Sequence, residues 1–109
     1  MKRLLVMTLM LALSLLLACE KDQSITLVTT TSVENSGLLH YLTPHFEENA
    51  GFEVDVVAKG TGAAIKLAED GQADVLLVHD REKELAFMDE GYGEKRHELM
   101  YNHFIFLGP

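Results

Sequence analysis

Ile25-Thr26-Leu27-Val28-Thr29-Thr30-Thr31-Ser32 is the stretch that decides the fold. Its first six residues alternate β-branched and apolar side chains between polar neighbours, as a strand buried within a sheet does. It hands over to hydroxyl-bearing residues. A helical stretch follows in which Leu38, Leu39, Leu42 and Phe46 share one face of a 3.6-residue period. Pro44 lies inside that stretch and predicts a kink or a split, because it removes one backbone donor. Asn49-Ala50-Gly51 closes the helix, and Gly51 suits a left-handed cap.

The same kind of unit recurs downstream. Phe52, Val54 and Val56 alternate with Glu53 and Asp55, and Val57-Ala58 completes a second strand with one apolar and one more polar face. Gly60-Thr61-Gly62 then turns the chain into a helix carrying Ala64, Ile65, Leu67 and Ala68, which ends at Gly71. Ala73 to Val78 is a third, nearly all-apolar strand. Arg81 to Glu90 is a third helix, charged, with Leu85 and Met88 expected inward, and Gly91-Tyr92-Gly93 ends it. Met100 to Leu107, with Tyr101, Phe104, Ile105 and Phe106, reads as a fourth strand. Strands alternating with helices at this pace predict an α/β fold, a mostly parallel sheet with flanking helices on both faces.

The N-terminus reads as an export signal. Lys2-Arg3 precede Leu4 to Leu17, in which only Thr8 and Ser14 are polar, and Ala18-Cys19 follows. This run is too short for a bilayer core, which needs about 20 apolar residues. Leu16-Leu17-Ala18-Cys19 resembles the bacterial lipobox, in which the cysteine is lipidated and becomes the new N-terminus. Cys19 is the only cysteine, so a disulfide has no partner and lipidation accounts for both its position and its solitude. Residues 1–18 are then a signal peptide, 19–24 the lipidated cysteine with a short polar tether, and 25–109 the working domain. The protein is expected to be exported, and either anchored to the outer face of a bacterial membrane or periplasmic.

One domain fits in what remains. The whole chain has 109 residues with 9 Lys+Arg against 17 Asp+Glu, and loss of Lys2 and Arg3 moves the formal charge from −8 to −10. Non-specific nucleic-acid binding is excluded by that balance, because neutralising phosphates needs clustered Lys and Arg. A domain this short buries only about 60–65% of its unfolded surface and is marginally stable alone. The chain stops at Gly108-Pro109, directly after the fourth strand, so it is expected to be the N-terminal piece of something longer.

In open parallel sheets, ligands sit beyond the C-terminal ends of the strands. Three junctions fall there: Thr29-Thr30-Thr31-Ser32, Gly60-Thr61-Gly62 and His79-Asp80. Hydroxyls and glycines at such places suit an anion. The first N–H groups of a helix are unsatisfied, the helix dipole favours negative charge, and Ser and Thr add donors without fixed positive charge. The same residues also serve as ordinary N-caps and turn formers. Two hydroxyl-bearing junctions in one short domain favour the anion.

Other chemistries fail on spacing. A dinucleotide fingerprint from Gly60-Thr61-Gly62 needs a small residue where Ile65 stands, and Lys66 follows no glycine as a phosphate-loop lysine must. His40 and His45 are five residues apart and diverge by about 140° on a helix, while His97 and His103 lie in and around a loop and strand, so no metal cation site is expected. Ser32 lacks the flanking glycines of a nucleophile elbow, and adjacent side chains on an extended segment point apart, so Asp80 is poorly placed to orient His79. No enzyme is expected. His79 reads as a satisfied histidine at a sheet end. The acidic runs Glu47-Glu48 and Glu82 to Glu90 read as solvated helix faces, either of them available to a partner.

Taken in order, Thr-Thr-Thr-Ser-Val-Glu-Asn-Ser-Gly-Leu-Leu, Gly-Thr-Gly, Ala-Asp-Val-Leu-Leu-Val-His, Glu-Gly-Tyr-Gly and Met-Tyr-Asn resemble the substrate-binding proteins of tungstate-uptake ABC transporters, in the type II periplasmic-binding-protein superfamily. The resemblance covers Ile25 to Pro109. It implies the first of two α/β lobes that close on a tetrahedral oxyanion, with the second lobe and its ligands missing beyond a hinge near residue 109. It further implies a monomeric receptor that delivers its ion to an ABC permease, with no cofactor, and an oxyanion site lined by Thr30, Thr31, Ser32, Thr61 and Gly62. A donor-only site disfavours hydrogen phosphate, whose P–OH is left without an acceptor, and accepts tungstate, molybdate or sulfate. Neither hydroxyl segment contains a carboxylate. Tungstate is the ion favoured by the resemblance. A molybdate or phosphate receptor, or a truncated lipoprotein without ligand, is the alternative.

Overall fold

The β-branched run forms the strand its composition predicts, and it becomes the middle of the sheet. In the computed structural model, which describes residues 23–101, 103 and 105–108, Ser24–Thr30 is β1. It is followed by α1 (Thr31–Asn35), α2 (Leu38–Ala50), β2 (Glu53–Lys59), α3 (Thr61–Glu69), β3 (Val75–Leu77) and α4 (Arg81–Asp89). The sheet order is β2-β1-β3 and all pairs are parallel. Val28 and Thr29 are both fully buried, because β1 has a strand on each side and a helix layer on each face. Burying a valine this completely contributes about 1.5–3 kcal/mol.

The two crossovers run in opposite directions across the sheet. The connection to β2 runs one way and the connection from β2 to β3 returns past β1, so right-handed crossovers put their helices on opposite faces. Packing agrees with this rule: α2 contacts α1 and β2, whereas α3 contacts all three strands and α4. Ala64 and Ile65 are the buried face of α3. At the other edge, Glu47 of α2 accepts a hydrogen bond from the Val54 N–H at 2.8 Å, which satisfies a donor on the outer strand. Asp74 closes the base of β3: its carboxylate accepts from Thr26 N at 2.8 Å and its own N–H donates to Thr26 O at 3.0 Å.

Several expectations need correction. The first crossover is not one helix but two, because Gly37 adopts a left-handed conformation (φ 78°) between α1 and α2. Pro44 does not split α2, which runs unbroken as a helical element through Ala50 to a left-handed Gly51. Of the apolar face read on α2, only Leu39 is buried; Leu42 and Phe46 are 45% exposed. Leu85, expected inward on α4, is also exposed, while Met88, expected inward with it, is half-buried, as is Phe87. The third strand is shorter than read, at Val75–Leu77. Among the described residues no strand forms over Met100 to Leu107, where Met100, Tyr101, Ile105, Phe106 and Leu107 are all exposed.

The signal segment and Cys19 lie outside the described residues. Among those described, no helix is long and apolar enough to cross a membrane.

Candidate functional site

Parallel pairing sets the three strand ends level. Thr30 pairs with Lys59, and Thr29 with both Ala58 and Leu77, so the junctions after β1, β2 and β3 emerge at one edge of the sheet. The chain leaves β1 toward the face of α1 and α2, and leaves β3 toward α4 on the face of α3. The crevice between β1 and β3 is therefore the point where the connections diverge, the usual place for a ligand in such sheets.

Thr29 anchors that crevice, its buried hydroxyl donating to Leu77 O at 2.8 Å. Thr30 follows at 2% exposure, and its Oγ1 caps α1 by accepting from Val33 N at 3.4 Å. Thr30 Oγ1 and Ser32 Oγ are 3.0 Å apart, and Ser32 Oγ is 3.0 Å from His79 Nε2. A hydrogen-bonded row therefore runs from a buried threonine through an exposed serine to a histidine on the other wall. Of the residues read as anion ligands, Thr31 and Ser32 are exposed, Gly62 is exposed, Thr61 is half-buried, and Thr30 is buried with its hydroxyl engaged.

The second junction contributes backbone. Gly60, at the N-cap of α3, brings no side-chain cap, and the first N–H in α3 with an intrahelical partner is that of Ala64, to Gly60 O at 2.9 Å. Thr61, Gly62 and Ala63 thus open a nine-residue helix with free donors at its positive end. The third junction is different, since the Asp80 carboxylate caps α4 by accepting from Lys83 N at 3.2 Å and also pairs with the Lys83 ammonium. Those two bonds, the ammonium's first, hold the Asp80 carboxyl below its ordinary range. Asp80 accordingly turns into its own helix and not toward His79. No carboxylate joins the Thr30–Ser32–His79 row among the described hydrogen bonds. A separate hollow of about 240 Å³ between α3 and α4 includes Glu69 and Glu90 in its lining, which suits an anion poorly. Among the described residues, no three His, Cys, Asp or Glu side chains gather as metal ligands.

What sequence reasoning missed is the contact between Ser32 and His79, 47 residues apart. The only available signal was that both follow strands; which strands lie side by side is a matter of sheet order.

A parallel sheet with hydroxyls at its switch point, and a free helix terminus at the same end, is suited to holding a small ligand beyond the strand ends. Residues 18–109 match the model of a PBP superfamily domain, and the chain belongs to that family. It is 52% identical over 93 residues to the tungstate-binding protein TupA of Peptoclostridium acidaminophilum, covering 83% of this chain and 32% of that protein. The solved tungstate-binding protein TupA of Desulfovibrio alaskensis superposes with a TM-score of 0.64 at 44% identity, over 65% of this chain and 28% of that one. The tungstate ABC transporter structure from Geobacter sulfurreducens gives 0.62 at 46% identity, over 64% and 30%. The chain spans between a quarter and a third of the length of the curated relatives it matches.

Proposed function

We propose that this protein is the extracytoplasmic solute-binding component of an ABC importer, and that it takes up a tetrahedral oxyanion, tungstate first among them. The observation that carries this reading is the hydroxyl row at the β1/β3 crevice, with the free N-terminus of α3 opening at the same end of the sheet. Relatives named as tungstate-binding support the choice of ion. Ser32, Thr31 and Thr61 supply hydroxyl donors, Thr61 and Gly62 also supply backbone N–H groups, and Thr30 supports Ser32 from below. Together they replace part of the ion's hydration shell, with no covalent chemistry and no cofactor. Closure of a clamp around the ion then presents it to a membrane permease.

Residues 1–18 act as a signal peptide, and Cys19 carries the lipid that holds the receptor, a monomer, at the outer face of the membrane. Residues 19–24 are the tether and 25–109 the first binding lobe. The site's donor-only character selects against hydrogen phosphate, which needs an acceptor for its proton. Titration of the full-length protein with tungstate under a hundredfold excess of phosphate tests the proposal. Binding that survives the excess, and that weakens in Ser32→Ala and Thr61→Ala, supports it. Equal displacement by phosphate, or unchanged binding in both variants, refutes it. Molybdate in the same titration separates the two metal oxyanions, and mass spectrometry of the mature N-terminus checks the lipid.

A further inference from the structure

The hydrogen-bonded row can be followed proton by proton. Thr30 is almost fully buried, and one of its Oγ1 lone pairs accepts from Val33 N. Its own hydroxyl hydrogen needs an acceptor, and among the described residues the one within reach is Ser32 Oγ at 3.0 Å. Thr30 therefore donates to Ser32. That leaves Ser32 Oγ with one proton, one further lone pair, and His79 Nε2 at 3.0 Å.

Two arrangements remain, and they differ in where the serine proton points. If Nε2 is the bare nitrogen of the imidazole, Ser32 spends its proton on His79 and turns a lone pair toward any anion above it, which repels. If Nε2 carries hydrogen, His79 donates to the second lone pair, and Ser32 has nothing to do with its proton but donate outward. Only the second is compatible with a dianion at this crevice.

We infer that His79 is a positioning residue of the oxyanion site: its Nε2–H donates to Ser32 Oγ and holds the Ser32 hydroxyl proton toward the ion. The inference rests on the oxyanion reading above and adds to it the device that makes the site donor-only. His79 itself need not touch the ion. It works from the far wall of the crevice, on the strand end 47 residues away from Ser32.

The test uses nitrogen-edited NMR of the full-length protein at about pH 8, above the range where free imidazole protonates, together with tungstate titrations of two variants. The expected result is a hydrogen on His79 Nε2 in the tungstate-loaded protein. His79→Leu, which removes the donor, is expected to weaken tungstate about tenfold, and His79→Gln, which restores an N–H, to stay within about twofold of wild type. A merely structural histidine would show no such split between Leu and Gln and no set tautomer. A bare Nε2 in the loaded protein, His79→Leu binding as wild type, or equal losses in both variants overturns the inference while leaving the receptor reading intact. A wild-type protein that binds no tungstate sinks that reading first, and this one with it.

Discussion

Replacing Thr30 by valine separates the two tasks that hydroxyls perform at the crevice. Valine has nearly the same shape and fits the buried site, where Thr30 is only 2% exposed. It removes the cap on Val33 N, and because that contact is long, at 3.4 Å, the loss sits near the low end of N-cap values, about 0.5 kcal/mol. It also removes the 3.0 Å bond to Ser32, for which about 1 kcal/mol is typical. Together the full-length protein should lose about 1–1.5 kcal/mol, read as a lower urea midpoint at unchanged slope. Tungstate affinity should fall less than threefold, since the Ser32 proton stays free to donate. Ser32→Ala is the complementary case: it leaves the buried Thr30 hydroxyl without its acceptor, about 1–3 kcal/mol of stability, and it also removes a hydrogen bond to a charged ligand, about 1.5–3 kcal/mol or at least tenfold in affinity. If Thr30→Val abolishes binding while Ser32→Ala does not, the assignment of the supporting and the contacting hydroxyl is reversed.

Gly37→Ala places a Cβ at φ 78° with nothing within 4 Å to clash, so only backbone strain applies, and a loss of about 1–2 kcal/mol in urea unfolding is expected. Val28→Ala, at a fully buried position in the central strand, should cost about 1.5–3 kcal/mol by the same assay. Asp80 has its folded pKa below its ordinary value of 3.8, so its contribution to stability is complete above that pH and is lost as pH falls through the lower folded value. Asp80→Asn keeps a cap on α4 but not the Lys83 pair. Its unfolding free energy should therefore fall less steeply than wild type below pH 3.8.

The architecture was legible where one segment determines its own environment. Ile25 to Thr30 is β-branched enough to demand burial on both faces, and the alternation of Val54 and Val56 with Glu53 and Asp55 announces an outer strand with a wet face. Gly51 is a left-handed cap in the sequence and in the structure alike. What failed depends on neighbours. The periodicity of Leu38, Leu39, Leu42 and Phe46 describes an apolar stripe, but only Leu39 is buried, Leu38 is half-buried, and Leu42 and Phe46 stay exposed. Pro44 predicts a kink or a split, yet α2 runs through it as one helical element. Met100 to Leu107 has the residues of a strand, and none forms there among those described.

The candidate site divides in the same way. Hydroxyls and glycines after each strand were visible as residue types, and the switch-point rule says where to look. The bond between Ser32 and His79 was not visible, since it exists only because β3 lies beside β1 and not beside β2. Thr30 likewise reads as a ligand from its type, and its burial and its bonds to Val33 and Ser32 were not visible.

The most direct test of the account is calorimetric titration of the full-length protein with tungstate in the presence of a hundredfold excess of phosphate. Saturable 1:1 binding that persists under that excess, and that drops at least tenfold in Ser32→Ala, is the predicted result. No heat with tungstate, or loss of the tungstate signal to phosphate, would contradict the central claim that the β1/β3 crevice is a donor-only oxyanion site.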